Sequence, residues 1–172
     1  MKFALVEASR ELNDAYLNYI GEWEKSGDKI VPAASRRNGK EFEEVFDEWK
    51  LEESDAIRSK GYVPAKLYFF VNEENYIIGA LHFRSELNER LLSTGGHIGY
   101  GIRPSERKKG YATKMLSLAL PIGRKLGLSK VLITCNKDNL GSAGTIKNNG
   151  GVLENEVTED NGNIVQRYWI DL

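Results

Sequence analysis

The sequence predicts an α+β (mixed α/β) domain in which local antiparallel strand pairs surround one β-α-β unit. Three observations predict it. The β-branched and aromatic runs Leu67 to Val71 and Tyr76 to Phe83 flank the polar turn Asn72-Glu73-Glu74-Asn75, which reads as a hairpin. Strand, helix and strand then follow between His97 and Cys135, a β-α-β unit inside an otherwise antiparallel pattern. At 172 residues the chain has the length of one domain, which buries ~70% of its unfolded surface around a core.

Taken in order, residues 2 to 6 form a short strand. Ser9 caps a helix whose Leu12, Tyr16, Tyr19, Ile20 and Trp23 share one face. A loop from Ser26 to Arg37 leads to Asn38, which with Glu41 resembles a capping box before the helical repeat Phe42, Val45, Phe46, Trp49. The aromatic residues of both helices read as core, with one or two left over for an acceptor pocket. After the hairpin, a polar stretch from Arg84 to Gly96 precedes the strand His97 to Ile102. Gly99 and Gly101 suggest a bulge there, and Pro104 ends the strand. The next helix carries Met115, Ala119, Ile122 and Leu126 on one face, with a kink expected at Pro121 and a stop at Gly127. Lys130 to Cys135 is a strand and Asn139 to Asn149 a short helix. Val152 to Thr158 and Ile164 to Ile170 close the chain as a hairpin around Asn161-Gly162.

Composition excludes several classes. With 24 Lys+Arg against 25 Asp+Glu the net charge is -1, too little positive charge for general nucleic-acid binding. One cysteine, Cys135, allows no internal disulfide, and with His82 and His97 it gives no zinc spacing, so no metal is expected. Apolar runs are of strand length, so no membrane span or signal peptide is expected and a cytoplasmic protein is. Against the near-zero total, Arg103 to Lys114 holds five basic residues and one acid. It sits between a strand and a helix, with Gly110 and Ala112 where backbone must approach a ligand closely. Free helix-start amides, the helix dipole and these side chains together suit phosphate. No P-loop or dinucleotide glycine spacing is present.

Arg107-Lys108-Lys109-Gly110-Tyr111-Ala112 resembles the Arg/Gln-x-x-Gly-x-Gly/Ala pyrophosphate loop of the GCN5-related N-acetyltransferases (GNAT), and Ile102-Arg103-Pro104 resembles the strand end before it. Asn139, Ser142 and Gly150 are similar to that family's Asn-x-x-Ser/Ala helix. The resemblance covers about residues 97 to 151, leaving 1 to 96 as a variable acceptor side and 152 to 172 as a terminal hairpin of a single domain. It implies the GNAT fold, a central, mostly antiparallel, twisted and splayed sheet with helices on both faces, and acetyl-CoA as donor. It further implies that strand amides at Tyr100, Gly101 and Ile102 pair with the pantetheine arm. Arg107, Lys108, Lys109, Gly110, Tyr111, Ala112 and Thr113 would hold the pyrophosphate, and Asn139 and Ser142 would contact the cofactor. A small-molecule or peptide amine would be the acceptor, with neither nucleic acid nor membrane as partner. The oligomeric state is left open, a homodimer included.

Two positions break the family pattern. Ile146 stands where many members have a tyrosine that protonates the departing thiolate, and Gly151 replaces a phenylalanine. Tyr100, Tyr111, Tyr168 or a water could donate instead. An alkyl amine, with pKa ~10.4, must lose a proton before attack. His97 and Glu86 are the candidate bases, whereas Cys135 reads as a small core residue rather than an acyl carrier. The leading expectation is direct acetyl transfer in a ternary complex. The alternatives are another acyl group or an oxygen acceptor, a non-catalytic acyl-CoA sensor, and, ranked last, RNA binding through the basic loop.

Overall fold

The computed structural model describes residues 1–172. The order of elements is β1 (Phe3–Glu7), α1 (Asn13–Ser26), α2 (Phe42–Glu52), β2 (Ala65–Asn72), β3 (Ile77–Arg84), β4 (Ile98–Ile102), α3 (Tyr111–Lys125), β5 (Lys130–Asn136), α4 (Leu140–Asn148), β6 (Val152–Thr158) and β7 (Ile164–Asp171). The strands form two antiparallel sheets, β1-β2-β3-β4 and β5-β7-β6.

Alternation along β2 divides the interior, because successive strand residues face opposite sides. Phe70 points with Leu81, Ile98, Met115, Leu116 and Ile146 into the core under α3 and α4. Phe69 points with Tyr16, Trp23, Phe46 and Trp49 into the core under α1 and α2. The helices thus lie on both faces of the sheet. In the second core Trp49 stands edge-on to Tyr16 and Phe69, with ring centroids 5.1 and 5.6 Å apart, a geometry that favours aromatic pairs. All six aromatic residues of the two helices are buried there.

Local chemistry shifts several expected boundaries. A 3-10 turn, Arg10–Leu12, precedes α1, so Ser9 caps that turn without a side-chain hydrogen bond. The start of α2 is held by Glu41 and Glu44, whose carboxylate accepts from the Glu41 N–H at 2.9 Å. Asn38 instead occupies a left-handed turn, φ 52°. The polar stretch before β4 contains a π-helical turn, Leu91–Gly95. Pro121 lies inside α3, which continues past it to Lys125. No bulge interrupts the β3–β4 register; the irregularities lie between β2 and β3, where Ile78 is the extra residue opposite Phe70 and Val71, and between β6 and β7 at Leu153 and Asn155. Gly101 is needed for a different reason, since a Cβ there would stand 2.2 Å from the Val31 carbonyl oxygen. The segment joining α1 to α2 therefore lies directly on the β4 backbone.

Arg103, the residue after β4, ties the two halves of the chain together. It is 2% exposed. Its Nε donates to Glu22 on α1 at 2.7 Å, its Nη1 to the Ile77 carbonyl at 3.0 Å and its Nη2 to Asn18 Oδ1 at 2.9 Å. Glu22 also accepts from the Ser105 N–H at 2.8 Å. Burial pushes the Glu22 carboxyl up, but the Ser105 and Arg103 hydrogen bonds outweigh it and hold the group below its ordinary value. Its folded pKa being depressed, this stabilisation is present above the unfolded value near 4.5 and is lost as pH falls through the lower folded value. Glu22→Ala leaves a buried cation without its counter-charge, so chemical denaturation should show a loss of ~3 kcal/mol at pH 7. Glu24→Ala, which breaks the exposed pair with Arg37, should cost ~1 kcal/mol or less. The Glu22 difference should shrink as pH is lowered below 4.5.

Candidate active site at the splay

The loop between β4 and α3 presents bare backbone. Lys108 and Gly110 both adopt left-handed conformations, φ 61° and 79°, which turn successive amides to one side. The N–H groups of residues 108 to 113 have no hydrogen-bond partner within the chain. Three of them belong to the first turn of α3, where the helix dipole adds positive potential. The arrangement fits a pyrophosphate and would be costly if left dry.

The basic side chains are less available than their number suggests. Arg103 is the buried tie to α1. Arg107 donates to Asp28 at 2.7 Å and to the Ile102 carbonyl at 3.2 Å, and stacks over Trp23. Lys109 pairs with Glu106 at 2.9 Å. Lys108 and Lys114 have no acidic partner within 4 Å. The anion site therefore rests on amides first and on Lys108 second.

The β4 edge extends the site inward. Arg84 N–H to His97 O and Arg103 N–H to Ile78 O bracket an unbroken β3–β4 register. Antiparallel alternation then directs the Gly99 and Gly101 amides to β3 and those of Tyr100 and Ile102 to the open edge. Of the three strand residues expected to pair with a cofactor arm, Gly101 is thus already engaged. Across the gap, β4 and β5 share no ladder. They meet at one point, where the His97 N–H donates to the Leu132 carbonyl at 2.8 Å and His97 Nδ1 accepts the Leu132 N–H at 2.9 Å. Beyond it the strands diverge.

This contact defines His97. The ring is buried, and burial together with the nearby Arg84 charge pushes its pKa down to about 4. Nδ1 is already an acceptor and, in the neutral ring, Nε2 carries the proton. His97 is therefore a pin between strands, with no basic nitrogen free for an amine. Glu86 is likewise engaged, by a two-pronged pair with Arg58.

Within the gap, Tyr100 crosses from β4 to α4. Its hydroxyl lies 2.8 Å from Ser142 Oγ, and burial pushes its pKa up to about 12. Asn139 caps α4, its Oδ1 accepting the Ser142 N–H at 3.1 Å, so Asn139, Ser142 and Tyr100 form one chain of contacts. Ser142 is one helical turn before Ile146, so the Tyr100 hydroxyl sits beside the segment that lacks the usual acid. Tyr111 packs on Phe3 and Phe70, while the Tyr168 hydroxyl donates to Gln166. Ile146 and Gly151 are themselves coupled. A Cβ on residue 151 would stand 2.4 Å from Ile146 Cγ2, so the two departures from the family pattern occupy one place. Cys135 is buried, and burial pushes its thiol pKa up.

A cavity of about 630 Å³ opens on the other face of the sheet, between α2 and β3. Glu52, His82, Arg84 and Arg90 are among its lining residues. Sequence reasoning had no reason to pair His82 with Glu52, 30 residues apart. The available signal was two polar side chains, His82 and Arg84, at alternate positions of an otherwise apolar strand. None of the six helix aromatics lines this cavity, so the one or two left over for an acceptor pocket are not found here. No helix is long and apolar enough to cross a membrane, and no group of three or more His, Cys, Asp or Glu is placed to hold a metal ion.

Comparison with known proteins agrees with this geometry. The Bacillus subtilis (strain 168) protein named uncharacterized N-acetyltransferase YjdG is 27% identical over 119 residues, which span 66% of this chain and 64% of that protein. Among solved structures, the ribosomal L7/L12 α-N-protein acetyltransferase RimL in complex with coenzyme A superposes with TM-score 0.68 at 19% identity, covering 100% of this chain and 95% of that one. A chimera of the Vibrio cholerae spermidine N-acetyltransferase SpeG and hSSAT has TM-score 0.68 at 16% identity, covering 99% and 96%. The family model described as "Acetyltransferase (GNAT) domain" matches residues 7–152, most of the chain, and with the splayed sheet and its amide-lined loop this places the chain in the GNAT acetyltransferase family.

Proposed function

We propose that the protein is a cytoplasmic, single-domain N-acetyltransferase that transfers acetyl from acetyl-CoA directly to an amine. The observation that carries the reading is the run of six unpartnered amides, residues 108 to 113, which follows a strand whose register directs the Tyr100 and Ile102 amides to the open β4 edge. A pyrophosphate and a pantetheine arm require that sequence of donors. Acetyl-CoA supplies the activated acetyl thioester. The loop holds its phosphates, the strand edge orients its arm, and a free edge amide faces the carbonyl oxygen as charge develops there. Tyr100, kept protonated by burial and placed by Ser142, donates a proton to the leaving sulfur in place of the missing acid. The buried Ile146 is the one observation that favours a non-catalytic acyl-CoA sensor instead.

Titration calorimetry should detect acetyl-CoA binding, and its absence at millimolar ligand would falsify the donor assignment. Lys108→Glu should weaken CoA by about tenfold but leave a pantetheine fragment without pyrophosphate unaffected, whereas equal losses would contradict a phosphate role. Tyr100→Phe should lower kcat by ~100-fold with little change in acetyl-CoA affinity. An unchanged kcat removes Tyr100 from the chemistry, and binding without release of CoA to any amine would favour the sensor.

A further inference from the structure

Arg84 is a cation without a counter-ion. Its Nη1 donates to the carbonyls of Gly96 at 3.1 Å and Gly95 at 3.4 Å, while Nε and Nη2 make no hydrogen bond within the chain. No carboxylate lies within ion-pair distance of it. Burial pushes its pKa down, and the neighbouring charge of Arg90 pushes in the same direction. The carboxylates that line the same cavity are already engaged, Glu52 with His82 and Glu48 with Lys40. A half-buried guanidinium that lines a cavity with Nε and Nη2 both unpartnered keeps the pair of donors that can grip a carboxylate by two parallel hydrogen bonds.

The same cavity holds an oriented imidazole. His82 Nε2 lies 2.9 Å from Glu52 Oε2, which fixes the proton on Nε2 and leaves Nδ1, with no partner in the chain, as the basic nitrogen. Both groups lie against the cofactor strand. His82 is paired across the sheet with Gly99, and a Cβ on Gly99 would stand 3.8 and 3.9 Å from the Arg84 guanidinium nitrogens. Gly99 immediately precedes Tyr100. A volume of about 630 Å³ suits a small molecule, and the cationic lining of Lys60, Arg84 and Arg90 disfavours a polyamine.

Building on the acetyltransferase reading above, we propose that this cavity is the acceptor site and takes a small amine that also bears a carboxylate, with Arg84 holding the carboxylate and His82, oriented by Glu52, removing the ammonium proton. In that step the ammonium N–H proton passes to His82 Nδ1. The freed lone pair bonds to the thioester carbonyl carbon, the carbon–sulfur bond breaks, and the sulfur takes its electron pair and the Tyr100 proton. The second proton of the attacking nitrogen passes through solvent to restore the Tyr100 hydroxyl, and His82 returns its proton to solvent. The products are the N-acetyl amine and CoA.

The test is CoA release from acetyl-CoA with free amino acids, their matched carboxamides and spermidine as probes. Acids should exceed their amides by about tenfold or more in kcat/KM. Arg84→Met should bring that ratio close to one, and Arg84→Lys should keep part of it, both with acetyl-CoA affinity unchanged. His82→Asn should lower kcat by ~100-fold or more while the preference of acids over amides persists. Equal use of amides or spermidine, a ratio that survives Arg84→Met, or no turnover of any carboxylate-bearing amine by protein that binds acetyl-CoA would overturn the proposal. NMR line broadening of the acid and amide pairs without acetyl-CoA reads the cavity independently. A preference for acids supports the site even where the donor assignment fails, and equal broadening refutes it even where acetyl-CoA binds.

Discussion

The contact between His97 and Leu132 is the constraint on which the site depends. Parallel neighbours in one sheet would ordinarily share an evenly spaced ladder, and every edge amide of β4 would then be satisfied by β5. Here the imidazole replaces a backbone carbonyl as acceptor for Leu132, closing the two sheets at a single point and letting them separate beyond it. An unpaired strand edge is normally a hazard to a protein, and here the edge lies inside the fold, beside α4 and Tyr100. The protein leaves its sheet incomplete at this edge, which is open to an added strand-like ligand.

The loop that follows obeys the same logic. Side-chain charge is largely consumed by internal pairs with Glu22, Asp28 and Glu106, while main-chain donors stay free. Amides fixed by two left-handed residues are already positioned before any ligand arrives, whereas a long lysine must be ordered on binding at a cost in conformational entropy. The two halves of the candidate site thus offer the same resource, preset backbone dipoles.

Much of this was legible in the sequence because it is local. The strand–loop–helix segment carries its spacing in consecutive residues, and Asn139 with Ser142 sits on one helical turn, so a linear motif contains the three-dimensional one. The alternating pattern of the hairpin and the helical repeat of aromatics follow from periods of 2 and 3.6. What escaped was tertiary. His97 and His82 look alike in sequence, each a lone histidine in an apolar strand, yet one faces a backbone amide of β5 and the other a carboxylate of α2. Gly101 showed only the absence of a side chain, and the Val31 carbonyl that requires the absence is 70 residues away. The strand-edge pattern that separates Gly101 from Tyr100 is set by register with β3, which no local window contains.

The ties from Arg103 and Arg107 back to α1 and its following loop mean that the field felt by a bound cofactor is tuned from the far half of the chain. Glu22 and Asp28 set how much of the loop's positive charge remains unneutralised. The electrostatics of the loop after β4 are thus set in part by α1 and the segment that follows it. A change of acceptor preference that reshaped α1 would alter the cofactor site without touching any residue of its motif.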